Sequence, residues 1–527
     1  MQKQSPEEIA AARRIMACKD FIPLPMRFLL FLFIIIVFQF SGGVYMSAVT
    51  QMAWGMSWIN EDIMMAGYAS LVGLTVAFPL LFRIMFRFTA RDILLLVTLV
   101  LIVGDWICME SDQVQIVVIV SFISGFFKMV GTFICWSQIQ LNITPTRDFA
   151  VFFPFLFSFI LGCVQLSNLA TGYCIEYYDW QTIHQLTIIA LILTFLIIYI
   201  CLKKHFRQGP FVPFKNIDYL GFILWSCFLL CLVYIFVYGE YYDWLDSKDI
   251  CITILFAGLL LCVTLYKSRF DKHPYICYDT FRQSGMLYIF ILFGCMTLMS
   301  ATSGSLQNIF TGAILGFSTR HSIDLNWGSF VGVLFGALFC YLGLVKWQIR
   351  SKVIVFSGFF FFFIYQLMMY FLIDANVEKE MLYLPMFFKG SGLCIVYTVL
   401  TYTLAVGVPF KFYFEAMCVI GFIRTSFGNP MSGAVVTRLF NQFKTENMSS
   451  LSAGIDGMSP MSEPFTTVYT ELNKQVAIVT LKEVYGYAVI LAIVILSAIV
   501  LSDYRQFLIP KRFLSTTISE IEESIES

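Results

Sequence analysis

Long apolar runs alternate along this chain with short polar breaks. Cutting the runs at charge and Pro/Gly clusters predicts spanning helices near residues 26–49, 62–82, 92–109, 113–136, 149–173, 183–202 and 217–238. A second series follows near 249–266, 284–307, 326–346, 352–373, 382–407, 412–436 and 476–502. A helix that crosses a bilayer needs about 20 apolar residues, so the pattern predicts an all-α polytopic membrane protein with 14 transmembrane helices. Two connections are long, 203–216 and 439–475, and the second is rich in Ser, Met, Asn, Gly and Pro. A connection of that length without obvious secondary structure is either a solvated connector or a docking segment. Residues 1–25 carry Arg13, Arg14 and Lys19 ahead of an apolar run too long for a signal-peptide core, so no cleavage is expected. The tail 503–527 ends in Glu520, Glu522, Glu523 and Glu526 and reads as an acidic, solvated segment.

Composition sharpens the picture. Of the 527 residues, 59% are hydrophobic and 13% charged, against about 45–50% and about 25% in soluble domains, which excludes an ordinary soluble enzyme. The 34 basic and 34 acidic side chains cancel, so no global field holds nucleic acid. The 15 Cys form no C-x-x-C pair and no cluster with His, and read as small apolar packing residues. Lys and Arg accumulate in cytoplasmic loops. With the N-terminus cytoplasmic, twenty-four of them fall in inner segments and seven in outer ones. An even number of spans then makes both termini cytoplasmic.

An intramembrane hydrolase or transferase needs a nucleophile or metal with its base. The four His, at 184, 205, 273 and 321, lie at span edges or in loops with no H-x-x-x-H spacing. No G-x-x-x-x-G-K-S/T loop is present, so ATP is not a direct energy source. An enzyme and a metal site are therefore not expected. Secondary transport, or a membrane scaffold or receptor, remains.

Three stretches carry a family resemblance. Asp218-Tyr-Leu-Gly221, followed by Gly239, Asp243-Trp244 and Ser247, matches a D-x-x-G and G-x-x-x-D-W pattern in the seventh span and its outer loop. Gly390-Ser-Gly392 opens the twelfth span, and Phe422-Ile-Arg424-Thr425 with Gly428 lies in the thirteenth. The third stretch runs from Gly125 through Gln138, Pro145 and Arg147 to Gly172-Tyr173 and Trp180. Together these resemble the fourteen-span drug:proton antiporter branch (EmrB/QacA-like) of the major facilitator superfamily, over roughly residues 26 to 502. There are departures. Gly42 stands where that branch has a first-span acid, Ser121 where it has a fourth-span Arg, Ser167-Asn168 where it has Gly-Pro, and Phe82 and Phe86 where the loop between spans two and three has Gly and Asp. The loop's basic residues Arg87 and Arg91 are kept.

Charges in the bilayer interior cost roughly 2.5–3.5 kcal/mol on insertion scales, so they usually face a cavity or a partner. Asp105 lies about one turn from the outer end of the third span, where snorkelling and a place on the substrate path are both open. Lys128 sits on the Gly125, Lys128, Gly131, Thr132 stripe of the fourth span. Gln165 and Asn168 share a face of the fifth. Arg424, mid-span, needs a carboxylate or carbonyl from another helix, while Glu415 is expected to pair with Lys411. Lys482 and Glu483 read as members of an ion-pair network, and the row Phe359 to Phe363 as lipid-facing. Asp105, Lys128, Gln165, Asn168 and Arg424 are thus candidates for the substrate path or coupling. Arg87, Arg91, Asp218, Gly221, Gly239, Asp243, Trp244 and Glu483 are candidates for structure or gating.

The resemblance implies a major facilitator fold in which two six-helix bundles, 26–202 and 284–502, flank a cytoplasmic linker and two inserted spans at 203–283. The N-terminal segment is 1–25, and the second bundle carries the outer loop 439–475. It also implies secondary active export of amphipathic or lipophilic small molecules from the inner or plasma membrane, of the multidrug-efflux type, without a cofactor and with a proton gradient as energy source. A periplasmic adaptor and an outer-membrane channel are the implied partners beyond substrate and lipid. The alternatives are an exporter or facilitator of one endogenous metabolite, or a non-transporting sensor or scaffold on a transporter fold.

Overall fold

The computed structural model describes residues 17–502 apart from 145–147, 207–216, 272, 284, 303 and 454–464. The acidic tail, most of the N-terminal segment, Pro145 and Arg147, and most of the long cytoplasmic connection lie outside the described residues.

Fourteen helical segments coincide with the predicted runs. The first six are α1 (Leu24–Phe40), α2 (Asn60–Arg87, with a tight turn at Phe78–Leu80), α3 (Ala90–Glu110), α4 (Val114–Ile143), α5 (Phe149–Tyr177) and α6 (Trp180–Cys201). Then come α7 (Tyr219–Tyr238) and α8 (Lys248–Phe270). The last six are α9 (Met286–Ile314), α10 (Thr319–Lys346), α11 (Ser351–Leu372), α12 (Lys379–Gly407), α13 (Phe410–Ser452) and α14 (Phe465–Leu501). Among the described residues, 12 of these are long and apolar enough to cross a membrane. The other two are α1, at 17 residues, and α13, whose second half carries Arg438, Asn441, Gln442, Lys444 and Glu446.

Two expectations change here. The run 26–49 is not one helix, because α1 stops at Phe40 and the chain resumes as a short helix at Val49–Met56. The loop 439–475 is mostly helical: α13 extends to Ser452 and α14 begins at Phe465. Hydropathy missed these extensions because polar helical turns project past the apolar window.

α2 packs on α4, α3 on α4 and α3 on α6 in the first bundle, and the second repeats this with α10 on α12, α11 on α12 and α11 on α14. Small residues explain the repeat. In the first bundle, a Cβ at Gly73 would lie 2.0 Å from the Phe122 carbonyl oxygen, and one at Gly125 would lie 1.9 Å from that of Ser70. In the second, Gly332 meets the Phe387 oxygen at 2.2 Å and Gly390 meets the Ser329 oxygen at 2.2 Å. Ser70-Leu-Val-Gly73 against Phe122-Ile-Ser-Gly125 is therefore matched by Ser329-Phe-Val-Gly332 against Phe387-Phe-Lys-Gly390. Without side chains at the crossing, backbones approach to contact, as membrane helices favour.

The inserted α7 touches α2 and α13, bridging the two bundles, and α8 packs on α7. The bundles meet directly through α5 on α10 and α12, and through α2 on α13. Ahead of α1, Ala17 and Lys19 pair with Lys203 and Cys201 through backbone hydrogen bonds of 2.8 and 2.9 Å, fastening the start of the first bundle to its end. The Phe row faces two ways. Phe359 and Phe362 are fully buried and Phe360 is 40% exposed, so a 3.6-residue period overrides the lipid-facing reading.

Candidate functional site

One face of α1, at Phe31, Ile34, Ile35 and Phe38, is fully buried, which is the spacing of a packed helix stripe. The helix ends where Ser41-Gly42-Gly43 begins, and Gly43 has φ +81°, a left-handed backbone that favours glycine. Seventeen residues rise about 25 Å, short of the roughly 30 Å hydrocarbon core, so α1 alone is too short to cross it. Backbone at its broken end must be satisfied by protein. Lys128 of α4 donates to the Gln39 and Ser41 carbonyl oxygens at 3.0 and 2.7 Å. Asp105 of α3 accepts from the Gly43 N–H at 2.9 Å. The two candidates thus hold opposite polarities of the same broken segment.

The departures from the family pattern converge here. A Cβ at Gly42 would lie 3.6 Å from the Lys128 ammonium, and one at Gly43 would lie 3.0 Å from the Ser121 Oγ and 3.1 Å from the Cys108 Sγ. The small Ser121 side chain leaves room for the Gly43 turn, whereas a side chain at Gly42 would begin in ordinary contact with the Lys128 ammonium.

Asp105 is 1% exposed, so it does not snorkel. His184 of α6 is fully buried beside it, with Nδ1 3.8 Å from the Asp105 carboxylate. Its ring lies edge-on to Tyr45, with centroids 5.0 Å apart, and to Trp180. The Tyr45 hydroxyl donates to Thr187 at 2.8 Å, because the Thr187 proton is directed to the Ile183 carbonyl. Both His184 ring nitrogens and one Asp105 oxygen have no hydrogen-bond partner among the described residues. Sequence reasoning set His184 aside as a span-edge residue. Its signal was membership of the sixth helix rather than any local motif.

The remaining path candidates face the other bundle or stand apart. On α5, Gly162 lies against Phe330 and Gly172 against Ile323 of α10. Gln165 and Asn168, one and two turns beyond Gly162, are half-buried. Arg424 lies in a π-helical stretch, Phe422–Gly428, within α13. Its guanidinium sits 5.0 Å from the Tyr397 ring centroid, so an aromatic face takes the place of the expected carboxylate or carbonyl. Tyr397 in turn packs on Phe157 of α5 and Phe293 of α9.

Lys389 lies inside α12, with its ammonium 3.4 Å from Gln307 Oε1. Gln307 follows an interruption in α9 between Ala301 and Ser305. There Gln366 donates to the Met299 carbonyl at 3.2 Å and the Tyr485 hydroxyl donates to that of Thr302 at 3.2 Å. Each bundle therefore begins with a broken helix whose backbone is held by polar side chains from within the same bundle.

Contacts close the seam between the bundles toward both ends. Near one end, Tyr173 donates to Asp324 at 2.6 Å, Trp327 donates to Tyr173 at 3.3 Å, and Lys379 pairs with the other Asp324 oxygen. Toward the other, Phe414 of α13 meets Phe82 and Phe133 edge-on, with centroids 4.3 and 5.7 Å apart. Phe82, a departure from the loop motif, is thus an inter-bundle contact.

The gating candidates lie at helix ends. Asp218 caps α7 by accepting from the Gly221 N–H at 2.7 Å, pairs with Lys267, and accepts from the Tyr275 N–H at 3.2 Å. Gly221 is required because a Cβ would fall 2.1 Å from that carboxylate. Gly239 ends α7 against the Trp244 ring, and Asp243 and Trp244 take φ of 55° and 54° in the turn to α8. Trp244 donates to Glu240 at 2.8 Å, and Asn441 of α13 donates to the same carboxylate at 2.7 Å. Arg87 closes α2, and Arg91 lies 4.6 Å from the Tyr199 ring centroid. Glu483 accepts from Asn447 at 3.1 Å, and no ion pair to it or to Lys482 occurs among the described residues. Glu415 accepts from the Cys277 N–H at 2.7 Å and from the Thr280 hydroxyl at 2.6 Å, so it anchors the linker.

No protein-family model matches the sequence, and no curated protein matches it. Solved structures do resemble it. The nucleoside transporter NupG is 11% identical, with TM-score 0.53 over 89% of this chain and 98% of its own. A bacterial homologue of the human drug peptide transporters is 11% identical, with TM-score 0.54 over 90% and 97%. A structure from work on proton-dependent oligopeptide transporters is 12% identical, with TM-score 0.55 over 90% and 97%. Likeness at such identity is likeness of fold: the described residues share the helical architecture of these transporter structures, and 12 of their helices are long and apolar enough to cross a membrane.

Proposed function

We propose that this chain is a secondary transporter that moves amphipathic small molecules by alternating access, as an exporter of the fourteen-span drug:proton antiporter type. The observation that carries this reading is the interrupted α1, its broken end held by Lys128 and Asp105. Irregular backbone within a membrane is tolerated where it is buried or lines a cavity, and discontinuous helices form the midplane sites of secondary transporters. Tyr173 with Asp324, and Phe414 with Phe82, are then the contacts that part in turn as one bundle rocks on the other.

Proton coupling falls to Asp105 and His184. The Asp105 carboxylate holds the Gly43 turn through one backbone N–H, and the buried His184 ring stands 3.8 Å from it. The excess of Lys and Arg at one end supports cytoplasmic termini, and the projecting ends of α13 and α14 then offer a contact for a periplasmic adaptor leading to an outer-membrane channel. The test is reconstitution in liposomes under an imposed pH gradient, with amphipathic dyes of both charges. Wild type should move at least one dye with the gradient, and Asp105→Asn should not. Equal movement by wild type, Asp105→Asn and empty liposomes would refute it.

A further inference from the structure

We infer that the central path binds an amphipathic organic anion, its carboxylate or phosphate held between Lys128 of one bundle and Lys389 and Arg424 of the other. This deepens the transporter reading and rests on it. Three cations near helix ends have carboxylate partners, Lys203 with Asp20, Lys267 with Asp218 and Lys379 with Asp324, while Arg27 and Lys352 bond carbonyl oxygens. Those in the middle have no carboxylate partner among the described residues. Lys128 bonds two carbonyls, Lys389 reaches an amide oxygen at 3.4 Å, and Arg424 covers a ring. No ion pair to any of the three occurs among the described residues. Asp105 is the nearby acid, and one of its oxygens is engaged by Gly43 while His184 stands beside it.

Position places the two lysines about one helical turn apart in depth. Gly125 and Gly390 occupy equivalent crossings in the two bundles, and the halves of this fold are related by an axis along the membrane normal between them. Lys128 follows Gly125 by three residues and Lys389 precedes Gly390 by one, so their depths differ by about 6 Å. Lys128, Lys389 and Arg424 all lie within helices and are partly buried. Cations at that depth are costly unless they face a cavity or a partner, and an anionic substrate adds the counter-charge that carbonyls, an amide and a ring lack. Below Arg424, the rings of Tyr397, Phe157 and Phe293, with centroids 5.7 Å apart at each contact, offer an apolar flank for the rest of the molecule.

Fluorescein and rhodamine 123 share a xanthene ring system and differ in charge, which makes them a matched pair of probes. Binding to the purified full chain is read by fluorescence anisotropy, and movement is read in liposomes under a pH gradient. The expected result is binding and transport of fluorescein but not rhodamine 123, with affinity for fluorescein at least about tenfold weaker in Lys389→Gln and in Arg424→Gln. Lys389→Arg should retain it, and monodisperse elution of each variant separates lost binding from lost folding. Preference for rhodamine 123 overturns the anion assignment while leaving transport intact. Unchanged fluorescein affinity in both Gln variants, or no binding of either dye, also overturns it. Fluorescein bound but not moved upholds the anion site and defeats the transporter reading instead.

Discussion

Replacing Gly125 with alanine places a methyl group 1.9 Å from the Ser70 carbonyl oxygen, 2.7 Å from its carbon and 2.9 Å from its Cα. All three are backbone atoms, so no rotamer change relieves the overlap. Ordinary contact begins at 3.4 Å, and α2 and α4 must therefore part by about 1.5 Å, which defeats close packing along the pair. Overpacking costs about 1–3 kcal/mol, and rigid backbone puts this case at the upper end. Alanine's helix preference returns about 1 kcal/mol, leaving a net loss of about 2 kcal/mol. Gly258→Ala is the control, since nothing lies within 4 Å of a Cβ there. The assay is the monodisperse fraction recovered from detergent after heating, an operational rather than equilibrium stability. Gly125→Ala should lower the apparent midpoint by about 4 °C or more if the first bundle melts as a unit, with Gly258→Ala unchanged or slightly raised. Equal midpoints for the two variants would refute the reading of the α2–α4 crossing, and with it the internal repeat.

The remaining predictions concern named side chains. His184→Gln should abolish gradient-driven transport while membrane expression is kept, and wild-type transport in that variant would remove His184 from coupling. Asp218→Ala removes the α7 cap and the Lys267 pair and should cost about 2 kcal/mol, seen as a lower melting midpoint in detergent. Tyr173→Phe removes a hydrogen bond across the seam and should raise cysteine labelling at a reporter placed at Gln165; unchanged labelling would show that this contact does not close the path. Burial pushes the Cys18 thiol up to about 11, so N-ethylmaleimide at pH 8 should leave Cys18 unmodified in the native protein and modify it in SDS, as read by peptide mass spectrometry.

Much of this molecule follows from sequence alone. Apolar runs of membrane length locate the twelve helices that, among the described residues, are long and apolar enough to cross, and roughly where each begins, because the bilayer imposes that length on any segment that crosses it. The order of small residues determines close crossings, so Gly125 and Gly390 were visible as motif positions before their contacts were known. Asp105, Lys128 and Arg424 were legible as costly charges needing a reason. Their partners were not. That Asp105 meets Gly43 and His184, that Lys128 caps the broken end of α1, and that Arg424 lies over Tyr397 depends on contacts between helices far apart in sequence. Hydropathy treats each helix as an independent solute and carries no information on its rotation or neighbours. The interruption at Ser41–Tyr45 was hidden for the same reason: an apolar run reads as one helix unless a distant lysine and aspartate make its break affordable, and only the packed bundle brings them there.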